Sequence, residues 1–392
     1  MSPFLGWGSG PAAGASSAGT LPAEALEAER QSETGALLWA VVLAGGIGSR
    51  FWPLSSSERP KQLLALVSDR PLIAETVARL QPLVPPDRVL VVTSRDIAPA
   101  IAAAIPEVPP WNVLVEPRPL GTAAALAWGA RVIEERAGPD TIFTCVHADL
   151  AVAFPGLFRH VLREAARLAG REELLVALGV PPTRVEPAFG YLLPGSPVSA
   201  DRPLSHGGAA AVRSYVEKPP NEQAEALIES GALWNAGVFV WRARFVRDEL
   251  ARRTPELAAG LAALDAGDHA RFAAAVQSVS LERGLLERTD RLVVLPADCG
   301  WDDVGTWASL RRARELDDDG NGIHGAVHCH DATANVVHAE ASTVVLYGVS
   351  GLLVVSLNGL TFVTTLDRAT DLRPLLDALP REVREQPGRL GA

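Results

Sequence analysis

The sequence predicts an α/β protein. A Rossmann-like, mostly parallel sheet flanked by helices spans residues 36–318, and a small all-β module with a closing helix spans 319–380. Three observations predict this. β-branched apolar runs recur along the first two-thirds of the chain. Amphipathic helical stretches alternate with them, and past residue 320 the helices give way to short strands separated by Gly, Asn and Ser. Runs that are apolar throughout belong to strands covered on both faces.

Each element follows in order. Residues 1–35 are rich in Gly, Ala and Ser, lack a basic leader, and read as a disordered tail. A buried strand at 38–43 breaks into glycines. The stretch "PLIAETVARLQ" sets Leu72, Ile73, Val77 and Leu80 on one helical face. Strands at 88–94 and 111–116 precede the Ala-rich helix "GTAAALAWGARVIEERA". A strand at 140–147 leads to a helix with Leu157, Phe158, Val161, Leu162 and Ala165 on one face, then a strand at 173–180. After residue 185 the alternation loosens. "AFGYLLPG", "VRSYVEKP" and "WNAGVFVWR" read as strands, while "NEQAEALIESG" and the Ala/Leu-rich 244–276 read as helices. "DLRPLLDALP" is the closing helix, and 381–392 reads as a tail.

Composition removes several functions. A formal net charge of −10 without a basic stripe argues against a nucleic-acid partner. No apolar run approaches the ~20 residues a membrane helix needs. Cys145, Cys299 and Cys329 are far apart and odd in number, so they read as free thiols in a reducing, cytoplasmic setting. His328 and His330 flank Cys329 without further ligands, and no metal site is expected there.

The chemistry begins where the first strand ends. Gly45, Gly46 and Gly48 let backbone N–H groups approach a phosphate. Neither GxxxxGK[ST] nor GxGxxG fits the text, because Phe51 stands after Arg50. Arg50 can span two phosphates. Pro53 and Pro60 stiffen the excursion that returns Lys61 to the same place. The chain has only two lysines, Lys61 and Lys218. Each sits in a short motif-like setting, which suggests a site needing point charges rather than guanidinium forks.

The pattern GGxGxR-x(9–10)-PK resembles the signature of sugar nucleotidyltransferases, and "GSRFWPLSSSERPKQLL" looks like their mannose-1-phosphate guanylyltransferase branch. The resemblance extends over roughly residues 38–375 and implies specific roles. Gly45, Gly46, Gly48 and Arg50 would hold a nucleoside triphosphate, and Lys61 would stabilise the departing pyrophosphate. Asp149 in "CVHADL" would bind metal; His147 and Leu150 stand where the family text P-x-D-H has Pro and His. Asp303 in "GWDDVGTW" matches D-x-G-[ST] as the second metal ligand, with Asp302 its neighbour. Together they imply Mg²⁺. "YVEKPP" resembles the E-K-P motif, with Glu217 on sugar hydroxyls and Lys218 on the sugar phosphate. Asn235 in "WNAG" and Gly190 in "FGY" complete the sugar side. "EPRPLGTAA" matches the base-side segment in part through Gly121 and Thr122, and Glu116 would accept from guanine N–H groups. "SLERGLLER" is similar to a structural helix of the family, capped by Ser280.

The resemblance implies transfer of GMP from GTP to α-D-mannose 1-phosphate by in-line displacement. Alternatives are another base or sugar, or a non-catalytic sugar-nucleotide sensor. It also implies a short β-helix-like C-terminal segment that helps homodimers form. The isomerase domain of longer relatives, and hence isomerase activity, is not expected.

Overall fold

The strand β1 (Trp39–Ala44) points successive side chains to opposite faces of a sheet. Ala40, Val42 and Ala44 enter one buried cluster, while Trp39, Val41 and Leu43 enter the other. A strand buried on both sides must be apolar at every position, which is why no alternation appears in its sequence. The structure is a computed structural model; it describes residues 38–385 apart from 47, 48, 57, 199–207 and 341. The stretch read as an N-terminal tail, and Gly48, lie outside the described residues.

In chain order the next strands are β2 (Val89–Ser94), β3 (Val113–Glu116), β4 (Ile142–His147), β5 (Ala151–Val152), β6 (Leu175–Val180), β7 (Gly190–Pro197), β8 (Ala210–Glu217), β9 (Leu233–Arg242), β10 (Leu292–Pro296) and β11 (Trp301–Asp302). Eight of them join β1 in one nine-stranded sheet in the order β3-β2-β1-β4-β9-β6-β10-β8-β7. The first four are parallel. The sheet as a whole is mixed, which corrects the expectation of a mostly parallel one. Strand β9 runs antiparallel between β4 and β6, and β8 and β7 close the far edge antiparallel. Over Val238–Trp241 strand β9 is buried on both faces, and its continuous apolar run does not tell its direction.

Helices Leu72–Leu80 and Pro155–Arg171 cover one face through Ile73, Val77, Phe158 and Val161. Helices Thr122–Ala137 and Ala243–Arg253 cover the other through Leu126, Ile133, Phe245 and Leu250. Among the described residues no helix is long and apolar enough to cross a membrane.

The C-terminal strands are β12 (Gly322–His324), β13 (Val327–His330), β14 (Val336–Ala339), β15 (Val344–Tyr347), β16 (Leu352–Leu357) and β17 (Leu360–Thr365). Strands β12, β14 and β16 are parallel neighbours, β13 pairs parallel with β15, and β17 folds back on β16. This stack shares a core with the glycine-loop segment. Val336, Leu353, Val355 and Leu372 pack with Phe51, Trp52, Leu64 and Trp307. The Trp307 indole N–H donates to the Trp52 carbonyl at 3.1 Å. The stretch read as a tail from 381 begins with a helical turn, Arg381–Glu385, whose Arg384 carbonyl accepts from the Trp52 indole at 3.2 Å.

Candidate active site

Lys61 opens a short 3-10 turn, Lys61–Leu63, directly after the extended Pro60. Its side chain is buried, and its ammonium donates to Asp149 Oδ2 at 2.9 Å and to the Asp303 carbonyl at 2.7 Å. The Phe51 ring lies beside it, its centroid 5.9 Å from Nζ. The two aspartates meet through a small antiparallel ladder. Asp149 leaves β4 just ahead of β5, Asp303 follows β11, and β5 pairs with β11 through Ala151–Asp302 and Val152–Trp301.

Their environments differ. Burial is the largest influence on Asp149 and acts upward, but the Lys61 ammonium and His147 outweigh it and hold the carboxyl below the usual range. Burial also dominates at Asp303 and pushes it up to about 6, with Asp302 and Asp149 adding and Lys61 opposing. Among the described residues the Asp303 side chain accepts only from the Gly305 N–H, at 3.1 Å. Asp302 is fully engaged: it accepts from Val304 N–H at 2.8 Å and from Arg312 Nε at 2.9 Å.

A cavity of about 370 Å³ opens beside this cluster. Gly45, Gly46, Lys61, Asp149 and Glu116, at the end of β3, line it, and a Cβ on Gly45 would stand 3.7 Å from Glu116 Oε2. Glu116 is buried, and among the described residues its Oε1 has no hydrogen-bond partner. Burial pushes its carboxyl up to about 7, against a backbone hydrogen bond from Leu120. The folded, ligand-free chain thus keeps a proton that the unfolded chain, with an ordinary value of 4.5, has lost. Stability falls as pH rises through that window and levels above it. Glu116→Gln removes the dependence. Its Tm advantage over wild type is expected to grow between about pH 5 and pH 8, by the equivalent of up to about 3 kcal/mol. An advantage that stays flat would show that the carboxyl is not held protonated.

Gly121 and Thr122 line the same cavity, but their contacts are structural. Gly121 has φ 86°, and any Cβ there would overlap the Val279 carbonyl. Thr122 Oγ1 accepts from the Leu281 N–H at 2.8 Å. The segment expected as a helix behind Ser280 is a short π-helix, Glu282–Leu286, and Ser280 Oγ accepts from Arg283 N–H at 3.3 Å. Arg50 is exposed and does not line the cavity; it lies close enough to Asp371 to add to the pull that Arg373 exerts on that carboxyl.

A second cluster stands at the end of β8. Tyr215 Oη donates to Glu217 Oε2 at 2.5 Å and accepts from Asn235 Nδ2 at 3.2 Å. Gly190 lies opposite Glu217, and a Cβ there would overlap the Tyr215 hydroxyl. Tyr215 escaped the sequence reading because it sits in a strand as any half-buried aromatic would. The signal was the glycine facing it. Lys218 is exposed, adopts φ 50°, and its ammonium donates to Glu217 Oε1 at 2.6 Å. Lys61, Asp149 and Asp303 therefore converge directly, while Lys218 belongs to this neighbouring cluster. The clusters meet at His147. It lines the cavity, and a Cβ on Gly237, two residues past Asn235, would stand 3.0 Å from its ring.

Residues 39–320 match the family model described as nucleotidyl transferase. The mannose-1-phosphate guanylyltransferase of Sinorhizobium fredii is 29% identical over 86% of this chain and 67% of its own length. Mannose-1-phosphate guanylyltransferase ManC of Salmonella typhimurium is 31% identical over 89% of this chain and 74% of its own. A crystal structure described as mannose-1-phosphate geranyltransferase from Thermus thermophilus superposes with a TM-score of 0.77 at 30% identity, covering 87% of this chain and 98% of that one. The match over most of the sheet, the glycine turn and the Lys61 cluster places this chain in the nucleotidyl transferase family.

Proposed function

We propose that the chain transfers GMP from GTP to α-D-mannose 1-phosphate, releasing pyrophosphate and forming GDP-mannose. The observation that carries this reading is the Lys61 ammonium, bound between Asp149 and the Asp303 carbonyl at the edge of a cavity that Glu116 also lines. An oxygen of the sugar phosphate attacks the α-phosphorus, the bond to the bridging oxygen breaks, and pyrophosphate departs with that oxygen. The attacking group is already anionic, so no side-chain nucleophile is required. What the site supplies is positioning and charge.

Gly45 and Gly46 offer backbone N–H groups at the cavity wall, and Lys61 offers a fixed positive charge to the triphosphate. Glu217, Asn235 and Gly190 take the sugar hydroxyls, with Tyr215 holding the first two in register. Lys218 meets the sugar phosphate from the rim. Arg50 reaches the outer phosphates from the exposed side of the loop.

The residues fit a divalent cation. Asp149 and Asp303 offer only oxygen donors, and the Asp303 carboxyl, raised chiefly by burial, has Asp302 and Asp149 adding to the rise. Hard oxygen donors with waters and substrate phosphates completing the shell suit Mg²⁺. When bound, that ion would screen the two anionic reactants from each other.

Guanine presents N1–H and N2–H₂ donors, which an ionised Glu116 can accept. The test is pyrophosphate release over a grid of nucleoside triphosphates and sugar 1-phosphates with Mg²⁺. GTP with mannose 1-phosphate is expected to give the highest kcat/KM, and Glu116→Gln to narrow the preference for GTP over ATP by roughly tenfold to a hundredfold. Faster turnover of another pair would replace this assignment. Ligand binding without pyrophosphate from any pair would leave a sensor.

A further inference from the structure

Among the contacts that join the C-terminal β stack to the lysine loop is a bidentate ion pair. Glu340, directly after β14, accepts two parallel hydrogen bonds from the Arg59 guanidinium: Nη1 to Oε2 at 3.0 Å and Nη2 to Oε1 at 2.8 Å. Arg59 stands two residues before Lys61. Its backbone is closed into a turn in both directions, with Ser56 N–H donating to the Arg59 carbonyl and Arg59 N–H to Ser56 Oγ, each at 3.0 Å.

Glu340 rests on a buried frame. His338 is 1% exposed; its Nδ1 lies 3.0 Å from Arg314 Nη2 and its Nε2 3.3 Å from Glu340 Oε1. Arginine only donates, so Nδ1 accepts and the proton sits on Nε2, facing Glu340. Arg314 is buried too. It donates to the Leu66 carbonyl at 2.5 Å on the loop side and to the Val337 carbonyl at 3.1 Å on the stack side. The His338 contact, with Arg59 adding, holds the Glu340 carboxyl down at about 2 against its partial burial.

An exposed ion pair by itself stabilises little. A bidentate fork fixes direction as well as distance, however. Here it fixes the residue next to Pro60, and neither partner lines the cavity. The pair is better suited to aim the turn than to add stability.

We propose that Glu340 is a positioning residue for nucleotidyl transfer: through the Arg59 fork it holds the Arg59–Lys61 stretch so that the Lys61 ammonium stays between Asp149 and the Asp303 carbonyl. The proposal rests on Lys61 acting in the reaction described above. Wild-type protein is measured first with the substrate pair it turns over best, so that its turnover tests the functional reading and the variants test this one. Arg59→Ala and Glu340→Ala are each expected to lower kcat about tenfold or more, with KM within about twofold, because small misplacements cost rate before binding. Arg59→Lys, which keeps the charge and part of the contact, recovers much of the loss. Glu340→Ala leaves Arg59 in place and so separates aiming from direct substrate contact. Wild-type kcat in Glu340→Ala overturns the proposal, whatever Arg59→Ala does. So does a loss of activity that merely follows the folded fraction measured by circular dichroism. Should Glu340→Ala not fold, wild-type kcat in Arg59→Ala, which leaves the buried frame intact, overturns it equally.

Discussion

Lys61→Ala is expected to lower kcat about a thousandfold while KM for nucleotide and sugar phosphate stays within about fivefold. The expectation follows from where the ammonium sits. It is buried and fixed by two oxygens, at 2.9 Å and 2.7 Å, so it costs no reorganisation when charge develops nearby. Interactions that strengthen only as the α–β bridging oxygen gains charge appear in kcat and not in KM. The fold should survive the change. Asp149 loses its counter-ion, but its side chain is 35% exposed and water can replace the contact. Lys61→Arg is expected to fail nearly as badly. A guanidinium fork is wider than an ammonium, and the Phe51 ring and the two oxygens leave a site shaped for a compact charge. Pyrophosphate release at saturating substrates measures both variants. Unchanged kcat in Lys61→Ala would remove this residue from the reaction.

The convergence of Lys61, Asp149 and Asp303 was legible because each lies in a short text with fixed spacing from a strand end. Strand β9 was less legible. Its apolar run reads the same in either direction, so nothing in the sequence shows that it inserts antiparallel between β4 and β6. Thr122 is expected on the base side from the resemblance of its segment to the family's, and its hydroxyl also accepts from the distant Leu281 N–H. Local text shows that a polar group exists at a turn, not which distant backbone it serves. The same limit hid Arg59–Glu340, whose partners lie 281 residues apart. Each residue alone reads as an ordinary surface charge. Tyr215 was hidden differently: its function depends on the absence of a side chain at Gly190, on another strand.

Adjacent aspartates give the sharpest remaining test, because Asp302 and Asp303 carry the same chemistry one residue apart and are expected to behave oppositely. Asp303→Asn is expected to abolish turnover by about three orders of magnitude and to raise the Mg²⁺ concentration giving half-maximal rate. Its carboxyl, held by one backbone N–H and pushed up to about 6 chiefly by burial, has coordination capacity to spare. An amide keeps the shape but loses the charge that a hard cation requires. Asp302→Asn should leave the Mg²⁺ dependence where it was. Both Asp302 oxygens are already committed, to Val304 N–H and Arg312, so the charge serves the turn that carries Asp303. Its loss should appear in denaturant unfolding as roughly 1–3 kcal/mol, the usual cost of weakening a charged hydrogen bond in a mostly buried place. A Mg²⁺ titration of the two variants decides the matter. If the half-maximal concentration shifts in Asp302→Asn and not in Asp303→Asn, the metal-binding carboxylate has been assigned to the wrong neighbour. The reading of the β11 turn would then have to be reversed.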